Sequence, residues 1–225
     1  MPVRQSAIFL SLPCEVARRA FLVLEAYEDV VKVKMQLQSR MRVFDCSDTR
    51  FGDSVLPLAG LLENRKHEVR ELRAYIEALA ERCFLYREVR KLGGGALFWA
   101  FLVTRCNVSR FKTLQGLIAY LGVLKGKSKS GREFTYRNLT GRRFNKYLWG
   151  FRRRQGKLPE VKEAVAKLMD RIRREHPDYT EPHVKNLAWF KWSRDFLLPG
   201  YYWAAKRVCS RCPLKDKVTA EPHQG

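Results

Sequence analysis

The sequence predicts a mostly α-helical protein, a long antiparallel helical hairpin followed by a basic helical domain. Three observations predict it. Val16, Val23, Val30, Leu37 and Phe44 recur every seven residues, and Leu62, Val69, Ile76 and Cys83 do so further on. That repeat keeps one seam of a helix apolar and is the spacing of helices that wrap each other. Almost nothing alternates as a strand would. After residue 91 the pattern changes to short apolar runs divided by glycine, proline and basic loops.

In chain order, residues 1–12 are a short lead-in whose apolar half, Ala7-Ile8-Phe9-Leu10, could form a lone strand or a packed arm. Pro13 suits a first helical turn, and a helix is expected from there to about Phe44. Residues 45–57, rich in Asp, Ser, Thr and Gly, read as a turn. A second helix is expected from about Leu58 to Arg90. Leu58, Leu72, Leu79 and Tyr86 form its neighbouring row, which Arg65 interrupts. At 1.5 Å per residue the hairpin would be roughly 45 Å long. Its seam could close on itself or on a second chain, so a homo-oligomer through these helices is expected beside the internal hairpin.

The segment 92–149 is the centre of the functional reading. Gly93, Gly94 and Gly95 precede an apolar helix, and Ser109-Arg110-Phe111-Lys112 leads into a second apolar helix, 114–121. A glycine turn feeding a helix offers backbone N–H groups and a positive dipole end, a ready site for an anion. A basic strip follows. Between Lys125 and Lys157 the chain has twelve basic residues and one acid, Glu133, a surplus equal to about half of the net +21. The bland alternative is a buried helical hairpin with a solvated charged loop. Beyond Gly156, a helix is expected from Pro159 to about His176. Another should run from Glu181 to about Leu197, with a turn at Pro199-Gly200 and a last helix from Tyr201 to Val208. The domain expectation is therefore a hairpin over 1–91, a basic domain over 92–157, packing helices over 158–208 and a polar tail over 209–225.

Composition limits what such a chain can do. With 46% hydrophobic and 30% charged residues it can bury a core. A pI near 10.1 points to a polyanionic partner, nucleic acid before an acidic membrane. Aromatics make up 12% of the chain and interleave with Arg and Lys, which favours nucleic acid. No run approaches the roughly 20 apolar residues of a membrane span. Residues 7–13 are too short for a signal-peptide core. A cytoplasmic, nucleoid-associated protein is expected, with its six cysteines as thiols.

Candidate chemistry is sparse. Cys209 and Cys212 have the spacing of a zinc knuckle, but four ligands are required and no second pair is adjacent in sequence. No metal site and no cofactor are expected. The acids, such as Glu15, Glu25, Glu28, Glu68 and Glu71, fall on the hairpin helices, where they read as flanking charges rather than a two-metal cluster. Ser128 and Ser130 lie within a lysine and arginine nest whose charge could stabilise attack by a serine on a phosphodiester. The alternative there is a loop that grips phosphate.

The order of these elements resembles a known family. A heptad helix pair, a glycine-rich start, the run Ser109-Arg110-Phe111-Lys112-Thr113-Leu114, Leu117-Ile118-Ala119-Tyr120-Leu121-Gly122, a basic stretch, Ser130-Gly131, and Asn145 with Leu148 follow one another. This looks like the C-terminal half of the Piv-type DNA invertases and related insertion-sequence transposases. The likeness covers about residues 29–149. It implies a coiled coil followed by a helix-hairpin-helix-like basic domain, with a catalytic serine at Ser130. That serine works with the acids of a RuvC-like nuclease domain, and some members use a structured RNA. The family's first glycine motif carries a hydrophobic spacer that Gly93-Gly94-Gly95 lacks. Too few residues precede the first expected helix to hold the nuclease domain, so another chain, with its magnesium, would have to supply the acids.

The expected function is thus DNA binding by a transposase-related protein. Gly93, Gly94, Gly95, Arg110, Lys112, Lys125, Lys127, Lys129, Arg132, Arg142, Arg143 and Lys146 would position the sugar–phosphate chain. One alternative is a recombinase subunit using Ser130. The other is a binder of structured RNA, stacking bases on Tyr136, Phe144, Tyr147, Trp149 and Phe151.

Overall fold

The computed structural model describes residues 12, 14–45, 52–121, 123, 139–155 and 158–213. Among them the protein is mostly helical and has no strand. Helices α1 (Glu15–Asp45) and α2 (Gly52–Glu81) lie side by side. Cys14 neighbours Cys83, Arg19 neighbours Tyr75 and Tyr27 neighbours Arg73, so the two run antiparallel. The heptad rows face inward. Val16, Leu37, Leu62, Ile76 and Cys83 are buried, and Val23, Val30 and Val69 are half-buried.

The second helix differs from its expected span at both ends. It starts at Gly52 and carries Pro57 within it, so part of the expected turn is helical. It also stops at Glu81. The Cys83 backbone is extended (φ −101°, ψ 118°), and a separate helix, α3 (Phe84–Lys91), begins there. Shortened bonds from Arg82 N–H to Leu79 O and Cys83 N–H to Ala80 O close α2. No Gly or Pro marks this break, which is why the heptad pattern reads straight through it.

The three glycines end α3. Gly94 N–H donates to Val89 O (2.8 Å) and Gly93 N–H to Arg90 O (2.7 Å), with Gly93 at φ 81°. This is a Schellman cap, and the left-handed residue it requires is the reason for a glycine there.

Helix α4 (Ala96–Arg105) follows and is the centre of the molecule. Nine of its ten residues are buried, as expected of a helix apolar on every side. It packs on α1, α2, α3 and, later in the chain, α6 (Leu139–Gln155). A 3-10 turn (Val108–Arg110) and α5 (Leu114–Tyr120) come between. The rest is α7 (Pro159–Glu175), α8 (Glu181–Trp192), a π turn (Ser193–Leu197) and α9 (Leu198–Ser210).

The turn expected at Pro199-Gly200 is not a turn. Backbone dihedrals stay helical from Trp192 through Leu198, and Leu198 N–H donates to Ser193 O across the π turn. Pro199 then falls in the first turn of α9, where its missing N–H costs nothing. One buried apolar cluster includes residues of the hairpin, α4, α6, α8 and α9, from Leu12 to Ala205.

Candidate nucleic-acid interface

The expected site residues divide by what surrounds them. Ser128, Ser130, Lys125, Lys127, Lys129 and Arg132 lie outside the described residues, as does the side chain of Arg142. Arg110, Lys112, Arg143 and Lys146 are all exposed. They stand in two places, one beside α9 and the other beside α1.

At the first, Arg110 lies over the Tyr120 ring (5.6 Å) on the turn that leads into α5. Lys112 follows, and Tyr202 OH on α9 donates to Lys112 O (2.9 Å). Lys206 Nζ stands 5.4 Å from the Tyr202 ring, and Trp203 meets that ring edge-on at 5.1 Å. Trp203 is 64% exposed, the most open of the large apolar side chains described. Tyr202 thus gathers the Lys112 carbonyl, the Lys206 ammonium and the exposed Trp203 indole around itself. A flat face beside cations is what an unpaired base or a sugar can use. Neither Trp203 nor Lys206 stood out in sequence, because the turn expected at Pro199-Gly200 divided them from the helix that precedes them.

At the second, the start of α4 opens into a cleft of about 280 Å³ lined by Gly95 to Phe98, Tyr27, Arg73, Glu77, Lys146 and Tyr147. Gly95 is the N-cap and has no side chain to cover the first amides of the helix, which lack intrahelical acceptors. The amides of Gly93 and Gly94, by contrast, are spent on closing α3, and Gly94 is buried. Of the three glycines only Gly95 lines the cleft. Arg73 joins the site from α2. Its distance in sequence from the basic window kept it out of the expectation.

Acids temper this second place. Lys146 also borders a groove of about 770 Å³ whose α1 wall has Glu25, Glu28 and Asp29. Arg143 lies 3.9 Å from Glu28, and Tyr147 OH donates to the same carboxylate (2.7 Å). Burial first, and then the charge of Glu28, hold the Tyr147 phenol far above its ordinary range, so it stays a donor. The Tyr147–Glu28 bond ties α6 to α1, and Arg143 faces the same carboxylate. In the structure Arg143 is not the unopposed phosphate contact that its place in the basic window implied.

Three of the aromatics that the RNA alternative would stack on bases serve the core. Phe144, Tyr147 and Phe151 are buried against Phe98 and Phe101, with ring centres 4.9 Å apart for both Phe98–Phe151 and Phe101–Tyr147. Tyr136 and the side chain of Trp149 lie outside the described residues.

Comparison with family models, with characterised proteins and with solved structures finds no match. The site must be judged on its own chemistry. Among the described residues no helix is long and apolar enough to cross a membrane. Within the same residues, no group of three or more His, Cys, Asp or Glu side chains stands ready as a metal site.

Proposed function

We propose that this protein binds nucleic acid, DNA first, through its sugar–phosphate chain. The observation that carries the reading is charge: +21 on 225 residues, half of it between Lys125 and Lys157. Among the described cations of that window and its flank, Arg110, Lys112, Arg143 and Lys146 are at the surface, and Arg152 is half-buried. The open start of α4 with Lys146 and Arg73, and the grouping of Lys112, Trp203 and Lys206 around Tyr202, support it.

The test is a fluorescence-anisotropy titration with labelled random duplex DNA across a salt series. If six to ten phosphates are engaged, affinity falls by roughly 10³ to 10⁵ between 50 and 200 mM salt. Lys146→Ala should weaken binding on every sequence and lower the salt slope by about one. A flat salt response dismisses the proposal. Competition with a structured RNA tests the alternative partner. Burial of Phe144, Tyr147 and Phe151 leaves RNA the weaker reading.

The order of elements further supports descent from, or work beside, an insertion-sequence transposase. In that reading Ser130 acts only with acids from a second chain. Ser130→Ala should leave DNA binding intact and abolish strand transfer in the presence of a nuclease partner. Val33 and Met35 on α1 and Leu61 on α2 are exposed, which supports self-association of the hairpin. Light scattering that gives a monomer mass at all concentrations would reject that part alone.

A further inference from the structure

Four of the six cysteines, distant in sequence, come to one spot. Cys14, Cys83, Cys209 and Cys212 line a single cavity of about 10 Å³, closed otherwise by Leu85, Val103 and Val208. The sequence supplies only the Cys209–Cys212 pair. The fold brings the other two, because α1 begins and α2 ends at the same level of the hairpin, and α9 packs on α3, which starts at Cys83.

We propose that these four cysteines form a structural zinc site, independent of nucleic-acid binding, that fastens the C-terminal helix to the base of the hairpin. Sulfur-only tetrahedral sites suit zinc, and a cavity this small accepts a single ion rather than an iron–sulfur cluster. Binding replaces the four S–H protons, which leave to solvent, with four S–Zn bonds. The centre then has a net charge of −2, held among the amides of two helix starts.

Cys14 and Cys83 each sit at the N-terminal end of a helix. Cys14 O accepts the first bond of α1 from Arg18 N–H (3.1 Å), and Cys83 is the N-cap of α3. The amides of Val16 and Ala17 stand near the Cys14 sulfur, and those of Leu85 and Tyr86 near the Cys83 sulfur. The Cys83 sulfur makes no strict capping hydrogen bond, so those amides act by proximity. Trp99 adds a further sign. Its Nε1–H is fully buried without a hydrogen-bond partner and lies near the Cys83 sulfur. A buried N–H aimed at a neutral thiol is wasted, whereas one aimed at a metal-bound thiolate is satisfied.

Cys83 and Cys212 are both neighbours of Cys14, and Cys212 is a neighbour of Cys83. The sulfurs are not at coordination distance of a common point. Cys212 lies beyond the C-cap of α9, so the helix that carries Cys209 does not fix it.

The experiment uses the full chain without a histidine tag, purified from zinc-containing medium under reducing conditions, with metal measured by inductively coupled plasma mass spectrometry. About one zinc per chain is expected, falling several-fold in Cys83→Ser and in the double variant Cys209→Ser/Cys212→Ser, with Cys46→Ser unchanged. Should the variants fail to fold, the wild-type chain decides by itself. Exchange into cobalt should give the intense visible bands and the sulfur-to-cobalt charge transfer of a tetrahedral four-thiolate site. Wild-type chain without bound zinc, a six-coordinate cobalt spectrum, zinc retained by the double variant, or a disulfide within the set found by mass spectrometry would each overturn the proposal.

Discussion

Arg105 is the residue on which the packing of α1 against α4 turns. It ends an otherwise apolar helix, is 6% exposed, pairs with Glu25 on α1, and lies 4.8 Å from the Phe21 ring. Burial lowers its pKa, and the nearby charge of Arg143 adds to that. Removing one member of a buried pair strands the other, at about 3 kcal/mol. Arg105→Met should cost that much in urea unfolding, and adding Glu25→Gln should recover part of it. A double variant less stable than the single one by the full cost of a second lesion would mean the two do not interact. Gly94 is a second such position. A Cβ there would stand 2.4 Å from Val89 Cγ1 and 3.1 Å from Val89 O, so Gly94→Ala should destabilise by about 2 kcal/mol.

Between elements, side chains from α9 close the core. Tyr201 OH donates to Leu102 O (2.9 Å), which also accepts from Cys106 N–H, and to Cys106 O (3.2 Å) just past the end of α4. Tyr201→Phe keeps the ring and removes this donor from Cys106 O, while Leu102 O retains its bond from Cys106 N–H; the change should cost about 1–3 kcal/mol. Limited proteolysis should then release α9 sooner than in the parent chain, and an unchanged digestion rate would show that apolar packing alone holds it.

The elements also show what was legible beforehand. Helical content, the paired heptad rows and the first-turn proline of α7 could be read because each rests on local spacing or backbone chemistry. The break at Cys83 and the unbroken path from Glu181 to Ser210 could not. The first depends on where α3 must turn to meet α9. The second depends on a π turn that absorbs Pro199. The site divides in the same way. The basic window is local, so it was visible as sequence. The meeting of Arg73 with Lys146, and of four cysteines around one cavity, is made by helices far apart in the chain.

At the scale of the whole molecule, two titrations oppose each other. Burial holds Cys106 and Tyr201 far above their ordinary values of 9.0 and 10.0. In the unfolded chain these groups lose protons from about pH 9 upward, whereas the folded chain keeps them. Their contribution to stability is therefore whole below pH 9 and declines above it, by about 1.4 kcal/mol per pH unit for each group. Lysines begin to neutralise near 10.4 and relieve the self-repulsion of a chain at +21, which acts the other way. Salt separates the two, since it screens exposed charge and leaves buried groups alone. At high salt the alkaline loss should stand out, and Cys106→Ala should make it shallower.

The same screening yields a pair of outcomes with opposite signs. Raising salt from 50 to about 300 mM should raise the melting temperature of the free protein, because like charges crowded between Lys125 and Lys157 repel one another most at low ionic strength. Over that range it should weaken DNA binding, because fewer counterions gain by release. A polyanion added at low salt should restore the lost melting temperature by neutralising the same cations, and it should lose that effect as salt rises. If melting ignores both salt and polyanion, the cations are already compensated or dispersed around the molecule, and no single face concentrates enough charge to hold a phosphate chain.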